Sequence, residues 1–162
     1  MNCERQEEEK ILTICKERFY KEAVKDVFVL TYDRMRRYEG EWHPERKLLF
    51  PGHIFLEGKN EESVSEEMQK CSDIAWIKYD MNPVGRREEE FLKKLCKEGH
   101  HLEMSRGIIC KGKARITEGP LKGLESRIHR IDRHKRLARV DIEGIPNYSY
   151  MTVGLEITEK IE

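Results

Sequence analysis

The stretch Gly112-Lys113-Ala114-Arg115-Ile116-Thr117-Glu118-Gly119-Pro120-Leu121-Lys122-Gly123 alternates before it turns. Ala114 and Ile116 interleave with Lys113, Arg115 and Thr117, so a strand here carries one apolar face and one basic face. Gly119-Pro120 and Gly123 then punctuate a tight loop. Further along, Ile128 and Ile131 belong to a second strand, and Arg133-His134-Lys135-Arg136 is a polar turn. Ala138, Val140 and Ile142 alternate with Leu137, Arg139 and Asp141 in a third. Short strands with turn signals roughly every ten residues describe a small β-barrel.

Upstream of that barrel the periodicity is different. Ile11, Leu12, Cys15 and Phe19 recur at helical spacing between Glu7 and Tyr20, with acids at the start where the helix dipole favours them. Asp26–Tyr32 reads as a buried strand. Arg34–Arg46 is polar with Gly40 at a hairpin tip, and His53–Glu57 is a further strand. A helix over Glu61–Cys71 presents Val64, Met68 and Cys71; Ile74–Tyr79 is a strand; Pro83–Gly99 holds a helix striped by Phe91, Leu92, Leu95 and Cys96. The expected fold is therefore α+β: one compact domain over residues 1–98, a hinge over 99–110, and the β-barrel over 111–162.

The chain has 162 residues and equal numbers of basic and acidic side chains, 31 of each, but they are unevenly spread. Residues 106–139 hold eleven cations (Arg106, Lys111, Lys113, Arg115, Lys122, Arg127, Arg130, Arg133, Lys135, Arg136 and Arg139) against Glu118, Glu125 and Asp132. A segment so biased is expected to face a polyanion. Lys and Arg fixed on a rigid barrel can follow a phosphate backbone, releasing counterions, and Arg can contact phosphate or guanine with both arms of its fork. No aromatic lies within 106–139, which favours a duplex or hairpin over a plain single strand. The competing reading of the same residues is an ordinary solvated surface.

Other classes find less. No run of 18 apolar residues exists to span a membrane, and the N-terminus lacks the apolar core of a secretory signal, so a cytoplasmic protein is expected. The five cysteines form no CxxC pair; Cys15 and Cys96 fall on apolar helix faces, and no disulfide framework or metal site is expected. His100-His101 is read as a solvated loop. There is no nucleophile elbow, P-loop or dinucleotide fingerprint, so neither an enzyme nor a bound cofactor is expected. Phe50, beside the rigid Pro51-Gly52 corner, is either a surface anchor for a protein partner or plain core.

Two of these stretches resemble one family. Gly112–Gly123 is similar to the KOW motif of NusG-type transcription factors and some ribosomal proteins, and Leu49-Phe50-Pro51-Gly52-His53-Ile54-Phe55-Leu56 is similar to a stretch of the NusG N-terminal domain. Gly119–Ser126, Ile131–Arg136 and Glu103–Ile109 resemble the LoaP group of specialised NusG paralogues. The resemblance implies an N-terminal α/β domain with an antiparallel sheet flanked by helices, followed by an SH3-like KOW barrel. It implies a monomeric transcription antitermination factor that holds the clamp helices of bacterial RNA polymerase through Phe50, Pro51 and His53, and an RNA hairpin in an operon leader through the barrel. On that reading Lys122, Arg133, His134, Lys135 and Arg136 meet RNA, with Lys113, Arg115, Arg127 and Arg139 as further candidates. His53 stands where the family has tyrosine. The family's opening strand is expected to be missing, because Asn2-Cys3-Glu4-Arg5 runs straight into the helix, and Glu143–Asn147 replaces the family's last barrel turn. A general elongation factor whose KOW domain binds protein, or a ribosome-associated KOW protein, are the alternatives.

Overall fold

A computed structural model describes all of residues 1–162. In chain order the elements are β1 (Asn2–Cys3), α1 (Glu8–Arg18), β2 (Val24–Phe28), β3 (Thr31–Tyr38), β4 (Glu41–Leu48), β5 (Phe55–Gly58), α2 (Glu61–Lys70), β6 (Tyr79–Asp80), α3 (Arg86–Cys96), β7 (His101–Leu102), β8 (Ser105–Cys110), β9 (Lys113–Glu118), β10 (Ile128–Asp132), β11 (Leu137–Asp141) and β12 (Tyr150–Ile161). Short 3-10 turns occupy Ser72–Ile74 and Glu125–Arg127. The class is α+β, as expected, and no helix is long and apolar enough to cross a membrane.

The chain divides into two units, Met1–Leu30 with Phe50–Val84, and Thr31–Leu49 with Gly85–Glu162. That is not the expected cut at residue 98. The reason is strand pairing: β3 takes β7 as a parallel neighbour, which draws the β3–β4 hairpin into the unit that holds the C-terminal strands. The expected hinge also shrinks, because Ser105–Cys110 is a full strand paired on both edges.

In the first unit α1 and α2 close over strands β2 and β5, which pair antiparallel with Phe28 opposite Phe55. Glu8 and Glu9 open α1 and Lys16 and Arg18 end it, both matched to the helix dipole. Asn60 caps α2 by accepting the Ser63 N–H at 2.8 Å. Ile11, Cys15, Phe19, Val27, Ile54, Met68 and Ile74 form the core. Ahead of α1 the chain forms a two-residue strand, β1. Cys3 N–H donates to the Gly52 carbonyl at 2.8 Å and Ile54 N–H to the Met1 carbonyl at 2.9 Å, while Asn2 and Cys3 pair on their other edge with Asp80 and Tyr79.

Two further readings change. Asp26–Tyr32 is two strands broken at Val29–Leu30, the second running on to Tyr38 and returning through a turn at Glu39 and Gly40, both with positive φ. Ile74–Lys78 is not a strand, and of the expected range only Tyr79 enters β6: Ile74 is core, Trp76 is 65% exposed, and the backbone closes i→i+3 bonds from Ala75 to Ser72 and from Ile77 to Ile74. An apolar run buried at one residue in three suits a turn better than a two-faced strand.

The second unit contains a three-stranded sheet ordered β4-β3-β7 and a five-stranded sheet ordered β10-β11-β12-β8-β9. All neighbours in the larger sheet are antiparallel except β12 and β8. Long β12 pairs with β11 through residues 150–154 and with β8 through 155–161, so one strand ties the two halves of the sheet. Met151, Val153, Gly154 and Leu155 of β12 are buried, a strand the sequence reading did not place. Ile116, Leu121, Ala138, Val140, Met151, Val153 and Leu155 fill the interior. His101 is no solvated loop residue. Its Nδ1 lies 2.7 Å from Thr31 Oγ1 and its Nε2 lies 2.8 Å from Asp33 Oδ1, a relay that fastens β7 to β3.

Burial pushes the Cys15 and Cys96 thiols up to about 12, as befits side chains that pack as small hydrophobes. All five cysteines are free thiols.

Candidate nucleic-acid interface

The five-stranded sheet carries nearly all the cations of residues 106–139, and each is held by an identifiable piece of backbone. On β9, Ala114 and Ile116 turn inward, so Lys113 and Arg115 are exposed on the opposite face. The loop after β9 is pinned at both ends. Leu121 is buried and its N–H donates to Ser105 Oγ at 3.1 Å, while Ile116 N–H donates to the Glu125 carboxylate at 3.0 Å. Gly119 makes this loop possible: its φ is +96°, and a Cβ there would lie 2.6 Å from Ser105 Cα. With Leu121 turned in, Lys122 is left exposed.

The β10–β11 turn presents Arg133, His134 and Lys135, all exposed. Asp132 shapes it by accepting the Lys135 N–H at 3.0 Å, and Arg136 closes it in the left-handed region at φ 53°. Beside the turn is a shallow depression of about 240 Å³ lined by Arg133, His134, Ile157, Thr158, Glu159 and Lys160. Arg115 stands opposite Ile108 and Ile108 opposite Glu159. The β9 cations and the turn therefore lie at one height along β12, with about 10 Å of sheet between β9 and β12.

The cations differ in what they already touch. Lys113, Arg115, Lys122, Arg133 and Lys135 make no ion pair. Arg136 is committed: it meets Glu156 at 3.0 Å and lies 4.2 Å over the Trp42 ring. Arg106 shares the same Glu156 at 3.3 Å. Arg127 covers Phe91 at 4.1 Å, and Arg139 covers Tyr150 at 4.6 Å. Of the nine residues expected to meet RNA, five are thus exposed and unpaired, His134 is exposed at the turn, and three are engaged with aromatic rings. No sequence signal linked those rings to these arginines, because Trp42, Phe91 and Tyr150 all lie outside residues 106–139.

Backbone hydrogen bonding holds two carboxyls in this face below their ordinary values. For Glu125 the largest cause is the Ile116 N–H; for Asp132 it is the Lys135 N–H. A depressed carboxyl contributes its stabilisation above its unfolded value and loses it as pH falls through the folded one, so both loops are pinned at neutral pH and released in acid. Lys135 amide exchange measured by NMR should accelerate as pH drops below about 4, beyond the intrinsic pH dependence, and Asp132→Ala should show the faster exchange already at about pH 6.

The residues expected to meet polymerase fare differently. Phe50 is 1% exposed and His53 is buried, so the ring offered as a surface anchor is core, and only Pro51 is half-exposed. The left-handed turn at Gly52 folds the corner inward, with the Gly52 N–H donating to the buried Glu8 carboxylate at 2.6 Å. Phe50 instead backs Phe55, their centroids 6.1 Å apart, and Phe55 stacks on Phe28 at 5.8 Å. Phe28 and Phe55 are the half-exposed rings of this unit that sequence reasoning missed. Cross-strand pairing of residues 28 and 55 is what joins them. No group of three His, Cys, Asp or Glu side chains is arranged to hold a metal ion.

No protein-family model matches this chain, and none of the curated proteins matches it.

Proposed function

We propose that this chain is an RNA-binding transcription antitermination or elongation factor of the NusG type. Its five-stranded sheet acts as a KOW-like barrel that grips an RNA hairpin in an operon leader. Its N-terminal α/β part, of the NusG N-terminal kind, engages the clamp helices of bacterial RNA polymerase. The observation that carries the reading is the set of five exposed cations, Lys113, Arg115, Lys122, Arg133 and Lys135, none of which is in an ion pair. A cation already paired gives up its partner before it meets phosphate; these do not. Two pinned loops and a rigid strand hold their backbones, which lowers the ordering cost of binding.

The polymerase half rests on the resemblance of Leu49–Leu56, with Phe50 and His53 as the buried floor and the Phe28–Phe55 pair as the apolar contact above it. Such a half-exposed aromatic pair suits a protein partner.

Binding to a leader hairpin is measured against a scrambled, unpaired control of equal length across a salt series. The hairpin is expected to bind selectively, with log K falling against log salt at a slope of roughly −3 to −5 for four to six phosphates. Equal affinity for both RNAs removes specific recognition. Retention of the chain on immobilised clamp helices without any RNA binding would favour the general elongation factor, and binding to neither would overturn the proposal.

A further inference from the structure

Strands β10 and β11 place Arg130 directly opposite Arg139. Their neighbours in sequence, Ile131 and Ala138, are also paired and turn the other way, so the two guanidinium groups share the outer face of the sheet. Like charges set opposite one another across an antiparallel pair destabilise it. Sheets ordinarily relieve this with a carboxylate, and here none is within ion-pair distance of either arginine. The nearby Asp141 is bound instead to His129, Oδ1 to Nδ1 at 2.6 Å. The next strand supplies Tyr150, which pairs with Asp141; the Arg139 guanidinium lies over its ring at 4.6 Å, and the His129 ring meets that ring edge-on at 5.6 Å. Stacking on tyrosine fixes the plane of Arg139 without consuming its N–H donors. Two arginines at paired positions on one face, one of them stacked on tyrosine and neither in an ion pair, offer free N–H donors to a doubly accepting oxyanion.

We propose that Arg130 and Arg139 form a phosphate clamp, oriented by Tyr150, that holds a phosphodiester of the bound RNA on the outer face of β10–β11. The inference rests on the RNA-binding reading and extends it: it adds a second anchoring point reached from the opposite edge of the sheet to β9, so the transcript is held at two places. Guanidinium forks match the paired oxygens of a phosphodiester with two parallel hydrogen bonds each. Tyr150 is a positioning residue here, since it acts through Arg139.

The full chain is titrated with the leader hairpin at several salt concentrations as wild type, as Arg130→Ala with Arg139→Ala, and as Tyr150→Leu. The double variant should bind about tenfold more weakly and lose about 0.7 to 0.9 from the salt slope, one phosphate's share. Tyr150→Leu keeps both charges, so it should weaken binding several-fold with the slope unchanged; a merely structural tyrosine would change neither quantity while the fold persists, as judged by circular dichroism. If the wild type binds the hairpin and the double variant matches it in affinity and slope, the clamp is overturned and the RNA reading stands. If the wild type binds no hairpin, the RNA reading falls, and the side-chain Nε–Hε signals of Arg130 and Arg139 under inorganic phosphate decide the clamp alone. Movement of both signals retains it as a phosphate site, and no movement overturns it.

Discussion

Replacing Lys122, Arg133 and Lys135 together by alanine is expected to lower affinity for the leader hairpin roughly 10²- to 10³-fold near physiological salt. Each exposed contact to phosphate is worth about 1 to 1.5 kcal/mol, the range of an ordinary hydrogen bond, because water competes for the phosphate, and three compound to that range. The salt slope should shrink by about 2 to 3, because each cation that neutralises a phosphate releases roughly 0.7 to 0.9 of a counterion. Stability should barely change. None of the three side chains makes an ion pair, and the Lys135 bond to Asp132 runs through its backbone N–H, which alanine keeps. Arg136→Ala is the instructive contrast. It removes a guanidinium that joins Glu156 and Trp42, so its loss should appear in the melting temperature before it appears in RNA affinity. Binding by isothermal titration, with melting followed by circular dichroism, separates the two. Unchanged affinity in the triple variant would move the RNA surface elsewhere on the molecule.

Gly119→Ala should be among the most destabilising single changes in the second unit, at about 2 to 5 kcal/mol. Two costs combine. The residue sits at φ +96°, where any side chain is strained by roughly 1 to 2 kcal/mol. The new Cβ would also lie 2.6 Å from Ser105 Cα and 2.7 Å from the Met104 carbonyl, backbone atoms of β8 and its lead-in that cannot swing aside. Overpacking of that kind costs about 1 to 3 kcal/mol. Gly123, four residues on in the same loop, isolates the first cost: its φ is +85° but nothing lies within 4 Å of the Cβ position. Gly123→Ala should therefore cost only about 1 to 2 kcal/mol. Urea unfolding of both variants reads the difference directly. Equal losses at the two glycines would mean that the close approach of the loop to Ser105 is not what holds it.

Those two expectations depend on features of different range. The basic face was legible because strand alternation converts sequence into side: Ala114 and Ile116 inward forces Lys113 and Arg115 outward, whatever surrounds them. The loop glycines were legible for a similar reason, since a Gly-Pro-x-x-Gly run admits few backbone paths. Phe50 shows where such local reasoning stops. Pro51 and Gly52 do make a tight corner, but whether the ring faces solvent or core depends on what the corner meets. It meets the Glu8 carboxylate of α1, 44 residues away. The half-exposed pair Phe28–Phe55 was invisible for the same reason, because cross-strand register is a long-range property.

Residue order alone was enough for the helices, the hairpin at Gly40, strands β9, β10 and β11 and the charge bias of residues 106–139, because all of these follow from spacing within a short window, whereas β8 was read as a hinge and β12 was not read at all. Which cations remain unpaired emerged only on folding, since Glu156 reaches Arg106 and Arg136 only after β12 lies beside β8. The same holds for Arg130 facing Arg139, and for the pairing of Asn2 and Cys3 with Asp80 and Tyr79. The physical cause is common to these cases: side chains set which face of a strand is apolar, but only pairing between distant strands sets what stands opposite.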